Sequence, residues 1–574
     1  MGHLNFIHSD SESTENYFGI SAETFQLNSY NRSDVLEKRW KSSKASYFLT
    51  FIIALFTLVC FGQNTAPQIE ITDVVADEIA KTLTVNYSLS DAESNICEVW
   101  LKMSLDDGTY FETIPQGNIT GDIGTGINPN PTLSLTWDYS VLTAGIRDID
   151  IKLYASDNQP VDIAEMVSQV DEAQLLSNLQ FIEGVRHYIA EPVKLEEVRT
   201  YIENAFMDAN LQTERQNFDF NNATMANILG RKAGAKDEAI TYIIDGHFDG
   251  RPNSPAADDN GSAVAGTLEA LRILSQYSFE HSIRFIGFDA EEVFFTGGYK
   301  GSGTYISDGI KPFENLQGTL NMEMIGFYSD VPNSQTLPAG FETIFPEAVQ
   351  EIADDEFRGN FLFGVGNTLS DPLLTAFVNA SENYVPELRL ITVSVPGTGQ
   401  SVPDLRRSDH ASFWDAGLQS LMLTDTANFR NPHYHTPGDS LATLDFEFMK
   451  NVVKAIVATA ADLAIPISVG SDEADLSTWL SVADYDQPFE AAIFIFPNPS
   501  NGSLSLQVEN AKTGFAASVE IFDFTGKRVY LDVQDFTEGT SNSKIYLENI
   551  ANGFYTLILN SGNAKKSIAF IISN

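Results

Sequence analysis

The stretch YIIDGHFDGRPNSPAADDNGS, Tyr242–Ser262, decides how this chain is read. It opens on an apolar run suited to a buried strand and closes on Gly261 and Ser262. The overlapping segment SAVAGTLEALRILSQY (262–277) then carries apolar residues at helical spacing. A strand, a polar loop and a helix make one unit of an α/β sheet, and such sheets place ligand sites beyond the carboxyl ends of their strands. The stretch holds one histidine and four aspartates, so it is either a solvated acidic loop or one half of a metal site.

The same alternation continues on both sides. Helical patterns occupy QVDEAQLLSNLQFIEGV (169–185), KLEEVRTYIENAFMDA (194–209) and FEFMKNVVKAIVATAADLA (446–464). Strand candidates are AITYIIDGHFD (239–249), SIRFIGFDAEE (282–292), GTLNMEMIGF (318–327), ELRLITVSV (387–395) and LQSLMLTDT (418–426). The expectation is a multidomain chain whose central α/β domain spans 164–466, with a mixed, mostly parallel sheet and flanking helices.

At 574 residues the chain is too long for a single core, and two to four domains are expected. Residues 63–160 contain short alternating runs bounded by Asp, Asn, Gly or Pro, among them KTLTVNYSLSD (81–91) and DIDIKLYASD (148–157). They read as a β-sandwich accessory module with no reactive cluster. Residues 467–488 read as a polar, acidic linker. Residues 489–574 are β-rich again and read as a second small sandwich.

Net charge is −44, from 34 Lys plus Arg against 78 Asp plus Glu, which argues against nucleic acid and anionic membrane surfaces as partners. It also makes isolated carboxylates uninformative, so only spacing carries an argument. The apolar run YFLTFIIALFTLVCFGQ (47–63) follows Lys38, Arg39, Lys41 and Lys44 and reads as a signal peptide cleaved near Gly62, within an N-terminal extension over 1–62. A membrane anchor is the alternative, for which the run is short. After cleavage only Cys97 of the two cysteines remains, so the exported chain has no internal disulfide.

The chemically interesting residues fall at strand ends. His247 and Asp249 end one candidate strand, Asp258 and Asp259 open the next helix, Glu291 and Glu292 follow another strand, and Glu323 and His435 follow two more. Four of the chain's eight histidines (His247, His410, His433, His435) lie in these loops. Each alone is more simply a structural residue. Together they deliver acids and imidazoles to one rim, which is what a metal site requires.

The segments GHFD (246–249), AADDNGSAVA (256–265), FDAEEVFFTGGYKGS (288–302), LNMEMIGF (320–327), SDHASFWDAG (408–417) and YHTPGDS (434–440) resemble, in order, the secreted co-catalytic zinc aminopeptidases of the bacterial leucyl aminopeptidase type. The resemblance covers about residues 170–465. It implies an aminopeptidase-like fold and two Zn²⁺ ions: one on His247 and Glu323, the other on Glu292 and His435, with Asp258 bridging. It makes Glu291 the general base toward a metal-bridging water, Asp249 the carboxylate that orients His247, and His410 a substrate or transition-state contact. The family commonly has Asp where this chain has Glu323, and a cis peptide between the two adjacent aspartates, here Asp258 and Asp259. Peptide or protein N-termini are the implied substrates. Glutaminyl-cyclase-like, carboxypeptidase or dipeptidase activity, or an inactive binding protein, are the alternatives on the same fold.

The segments FPNPSNGSLSL (496–506), VEIFDFTGKRVY (519–530), NGFYTLIL (552–559) and KKSIAFIIS (565–573) resemble the C-terminal sorting domain of type IX secretion cargo. This implies handling by the type IX machinery and a secreted or cell-surface location in a Gram-negative bacterium.

Overall fold

The strand Asp237–His247 lies near the middle of an eight-stranded sheet in the computed structural model. The structure describes residues 64–479 and 491–573, apart from 78, 143–145, 147–148, 294–298, 524–526, 548–549 and 562–563. The expected signal peptide over 1–62 lies outside the described residues. Among the described residues no helix is long and apolar enough to cross a membrane.

The sheet runs, edge to edge, Leu390–Val395, Leu362–Asn367, Ser420–Thr424, Asn315–Met322, Asp237–His247, His281–Phe288, Ala223–Lys232 and Gln212–Phe220. Its four middle strands, Ser420–Thr424 through His281–Phe288, are mutually parallel. The flanking pairs include three antiparallel contacts, so the sheet is mixed, with four of seven pairings parallel. The polar edge strand Gln212–Phe220 (QTERQNFDF) is half exposed, which is why period-two patterning did not mark it.

The central strands are buried on both faces and are covered by helices. The helix Ala263–Leu274 has 11 of its 12 residues buried, and the helix Phe446–Ala464 presents Met449, Val452, Val453 and Ile456 to the same core. The latter begins at Asp445, whose side chain caps the Phe448 amide. Gly246 lets the first helix approach closely: a Cβ there would lie 2.7 Å from the Ala263 Cβ. This contact seats the helix start directly over the strand end that carries His247.

The N-terminal part forms two sheets that share one core. Leu83, Val85, Tyr87 and Trp137 come from one sheet, and Val99, Ile151 and Leu153 from the other. The expected linker departs from expectation here. Val469–Asp475 is a strand paired antiparallel with Asp150–Ser156, and Ala474 and Leu476 are buried in the N-terminal core. The chain thus returns after the α/β domain to complete the first module. The polar sequence of an edge strand (VGSDEAD) hides this, because its exposed positions read as loop. The two parts are also joined by buried polar contacts: Lys102 Nζ lies 3.1 Å from Glu238 Oε1, and Trp100 Nε1 donates to the Ala235 carbonyl at 3.0 Å.

The C-terminal residues form a three-stranded and a four-stranded sheet around Leu504, Leu506, Val519, Ile521, Leu557 and Phe570.

Candidate metal centre

Four parallel strands deliver the site. His247 is the last residue of its strand, Glu323 follows Met322 directly, and Glu291 and Glu292 come just after Phe288. His435 lies in the loop between Ser420–Thr424 and the helix Phe446–Ala464. Four non-glycine residues beside these groups adopt the left-handed region: Ala256 (φ 54°), Ala290 (φ 60°), Met324 (φ 56°) and His435 itself (φ 59°). Each costs on the order of 1–2 kcal/mol, and their concentration at one rim marks backbone held for function.

Two triads of ligating atoms converge, each within 4.8 Å: His247, Asp259 and Glu323, and Asp259, Glu292 and His435. His247 Nε2 lies 3.3 Å from Glu323 Oε2, 3.6 Å from Asp259 Oδ1 and 3.9 Å from Glu291 Oε2. His435 Nε2 lies 2.9 Å from Asp259 Oδ2 and 2.8 Å from Glu292 Oε1.

The shared carboxylate is therefore Asp259, not Asp258. Asp258 points the other way: its Oδ1 accepts the Gly326 amide at 3.0 Å and its Oδ2 the Asn431 side-chain amide at 2.7 Å. Burial, then the charge of Asp425, holds the Asp258 carboxyl well above the usual range. The non-helical backbone at Asp259 and Asn260 turns the two neighbours apart. The cis peptide is likewise one position on, between Asp259 and Asn260.

His410 is corrected as well. Its ring is fully buried, Nε2 lies 3.0 Å from the Leu405 carbonyl oxygen, and it meets Trp414 edge-on at 4.5 Å. Burial pushes its pKa down to about 3, so it stays neutral and serves the packing of its helix.

Asp249 does more than orient His247. Its Oδ1 and Oδ2 accept the backbone amides of Glu291 and Glu292, both at 3.0 Å. The nearer oxygen to His247 Nδ1 is the main-chain carbonyl of Asp249 at 3.2 Å, with its carboxylate at 3.5 Å. Glu323 is positioned by Ser408 Oγ at 2.8 Å and Asn260 Nδ2 at 3.2 Å, so its extra methylene is taken up by two donors.

Two groups that patterning did not single out hold the loop. Asp439 accepts the amides of Asp258 (2.8 Å) and Asp259 (3.1 Å). Arg186, fully buried, donates to the carbonyls of Ile182, Gly184, Phe248, Pro255 and Ala256. Asp439 stands in the quoted YHTPGDS segment, so a polar residue beside a candidate ligand was the available signal; Arg186 offered none. Asp409 is also fully buried, its pKa pushed up to about 7 by burial and eased by the charge of His247. His433 is partly exposed, belongs to neither triad and meets the Phe327 ring edge-on with centroids 6.3 Å apart. Tyr434 stacks on His435 at 3.7 Å.

The donor set fits a pair of divalent cations. Among the described residues His247 Nε2 is buried without a hydrogen-bond partner while three carboxylates face it. Burial raises the Glu291 carboxyl well above its usual range and raises that of Asp259. Burial lowers His435, but hydrogen bonds and charge from Asp259 and Glu292 outweigh it and bring its pKa up to about 9. A buried cluster rich in acid oxygens and imidazole nitrogen is the environment zinc takes.

A pocket opens beside the triads, with Glu323 and Tyr434 on its wall. Phe341, Phe361, Phe363 and Met422 give it a mostly apolar lining, with Asp404 and Arg407 also on its wall.

Residues 227–460 match peptidase family M28, and residues 494–573 match the secretion system C-terminal sorting domain. The chain is 28% identical over 267 residues to the uncharacterized protein YfbL of Escherichia coli, covering 45% of this chain and 77% of that protein. It is 28% identical over 251 residues to aminopeptidase YwaD of Bacillus subtilis, covering 42% of this chain and 45% of that one, less than half its length. The solved LapA aminopeptidase of Legionella pneumophila is 17% identical, over 53% of this chain and 73% of its own, with a TM-score of 0.41.

Proposed function

We propose that this chain, a metallo-exopeptidase by its M28 domain, is an exported zinc aminopeptidase that removes N-terminal residues from peptides or proteins. One observation carries the reading: two ligand triads share Asp259, with Glu291 beside them and outside both. A pair of Zn²⁺ ions, when bound, polarises the scissile carbonyl and makes water a nucleophile near neutral pH.

The chain's own residues supply the rest. His247 and Glu323 would hold one ion, Glu292 and His435 the other, and Asp259 both. Glu291, whose buried carboxyl favours the proton, takes it from the attacking water and passes it to the leaving amine. Asp249 fixes the Glu291–Glu292 backbone so that one carboxylate ligates while its neighbour stays available. The aromatic pocket beside Glu323 would take an apolar N-terminal side chain and exclude water from around it.

The C-terminal domain directs export, with the type IX machinery as the handling partner, and the run over 47–63 acts as the signal peptide. A secreted or cell-surface location follows from this reading.

The test is hydrolysis of aminoacyl anilides by chelator-stripped and zinc-restored protein. Activity is expected to vanish and return, with leucyl or phenylalanyl anilides favoured over aspartyl. Chelator-resistant activity would overturn the metal mechanism. Cyclisation of an N-terminal glutamine peptide without cleavage would replace the peptidase reading by a cyclase.

A further inference from the structure

A loop of the N-terminal module meets the eight-stranded sheet at a second cavity, away from the metal rim. Asp107 and Thr109 of that loop, Glu214 on the edge strand, and Arg231, Arg284 and Lys311 stand on its wall. Arg284 is the fourth residue of His281–Phe288 and Lys311 precedes Asn315–Met322, so the cavity lies toward the amino ends of the parallel strands. His247, Glu292 and Glu323 stand at or beyond their carboxyl ends.

The floor carries an excess of positive charge. Arg231 and Arg284 are direct cross-strand partners, and like charges so placed repel. Arg284 gives Nε and Nη2 to Glu314, and Lys102 pairs with Glu238, which leaves Arg231 as a third cation without a carboxylate of its own. It takes only a share of those two: Arg231 Nη2 lies 3.3 Å from Glu238 Oε2, and Nε lies 3.9 Å from Glu314 Oε1. Among the described residues Arg231 Nε has no hydrogen-bond partner. All five side chains are no more than 3% exposed. Three buried cations against two carboxylates leave one charge uncompensated, which is costly unless an anion joins them. The lip has the opposite sign. Glu214 there is paired with Lys311, and Asp107 is exposed.

We propose that this cavity binds a free α-amino acid as its zwitterion, the carboxylate on the Arg231–Arg284 floor and the ammonium at Asp107. Nη1 is the Arg284 nitrogen that Glu314 leaves uncommitted, and bonds from a guanidinium to a carboxylate are of the strong, charge-assisted kind. The ligand touches both the N-terminal module and the α/β domain, so the module forms one wall of a binding site. The charge argument stands without the metal reading, although free amino acids are what that reaction would release.

The experiment is calorimetric titration of the zinc-loaded full chain with glycine, and with acetate, which offers the carboxylate alone. The wild type is expected to bind glycine at least about tenfold more tightly than acetate, the worth of one partly screened ion pair. Asp107→Asn is expected to weaken glycine about tenfold and leave acetate within about twofold. Asn suits the left-handed backbone at Asp107 (φ 60°), so this variant keeps the loop. Thr109→Trp, which fills the cavity from an exposed position, is expected to abolish glycine binding there. Anilide hydrolysis without added amino acid is expected to be unchanged in both variants. Glycine binding that survives both substitutions lies elsewhere and overturns the proposal. Equal binding of glycine and acetate, or no glycine binding at millimolar concentration, overturns it as well. Absence of anilide hydrolysis in the wild type would overturn the peptidase reading and leave this site standing.

Discussion

Asp249 Oδ2 accepts the backbone amide of Glu292 at 3.0 Å, while its other oxygen takes the amide of Glu291. One carboxylate at the end of the His247 strand thus fixes the segment that follows the neighbouring strand. Replacing Asp249 by Ala leaves two amides without their acceptor and loosens Glu291 and Glu292 together. Metal affinity is expected to fall about 10–100-fold, as for other groups that orient ligands. Competitive chelator titration checks this; an unchanged affinity would show that the segment holds itself.

The neighbours Asp258 and Asp259 are expected to behave oppositely. Asp259→Asn removes a ligand common to both triads and should leave less than one bound metal per chain. Asp258→Asn replaces a carboxyl turned away from both triads and should keep metal stoichiometry, at a stability cost of about 1–3 kcal/mol for disturbed internal hydrogen bonds. Elemental analysis and urea unfolding read the two effects separately.

Glu291→Gln should bind metal as the wild type does and lose about 10²–10⁴-fold in kcat, the usual worth of a positioned general base. Loss of metal along with activity would move Glu291 into the ligand set.

His410 predicts a pH dependence of stability. Its pKa is pushed down to about 3 by burial, against about 6.5 in an unfolded chain. Between those values the unfolded state binds more protons, so stability contributed by neutral His410 is intact above about pH 6.5 and is lost as pH falls towards 3. From pH 6.5 to 4.5 this group alone should cost about 2–3 kcal/mol. Urea unfolding at both values, compared with His410→Asn, should show a flatter profile in the variant; parallel profiles would rule the group out.

Lys102 and Glu238 form a buried pair between the N-terminal sheets and the α/β domain, each with a side chain no more than 1% exposed. Lys102→Met strands a buried carboxylate, which costs about 3–5 kcal/mol when nothing else compensates. Arg231 Nη2 remains 3.3 Å from Glu238 Oε2, so the lower end is expected. Adding Glu238→Leu should recover part of the loss, measured by thermal or urea unfolding.

Much of this protein is legible in its sequence. Apolar runs bounded by Gly, Asp and Asn located the five strand candidates, and periodicity placed the helix Phe446–Ala464. Strand ends then put His247, Glu292, Glu323 and His435 on one rim, because a parallel sheet carries all its carboxyl ends to the same edge. What the sequence left open was direction. Whether Asp258 or Asp259 faces the rim depends on backbone angles at Asp259 and Asn260, and on a Gly326 amide far along the chain that receives the other carboxylate. Whether His410 meets substrate or the Leu405 carbonyl depends on which way its helix packs on Trp414. The edge strand Val469–Asp475 and the cross-strand pair Arg231–Arg284 arise only when distant segments meet. Periodicity and spacing are local properties, and they determine which residues stand at the rim. The facing of each side chain is set by partners remote in sequence, and only the tertiary structure supplies them.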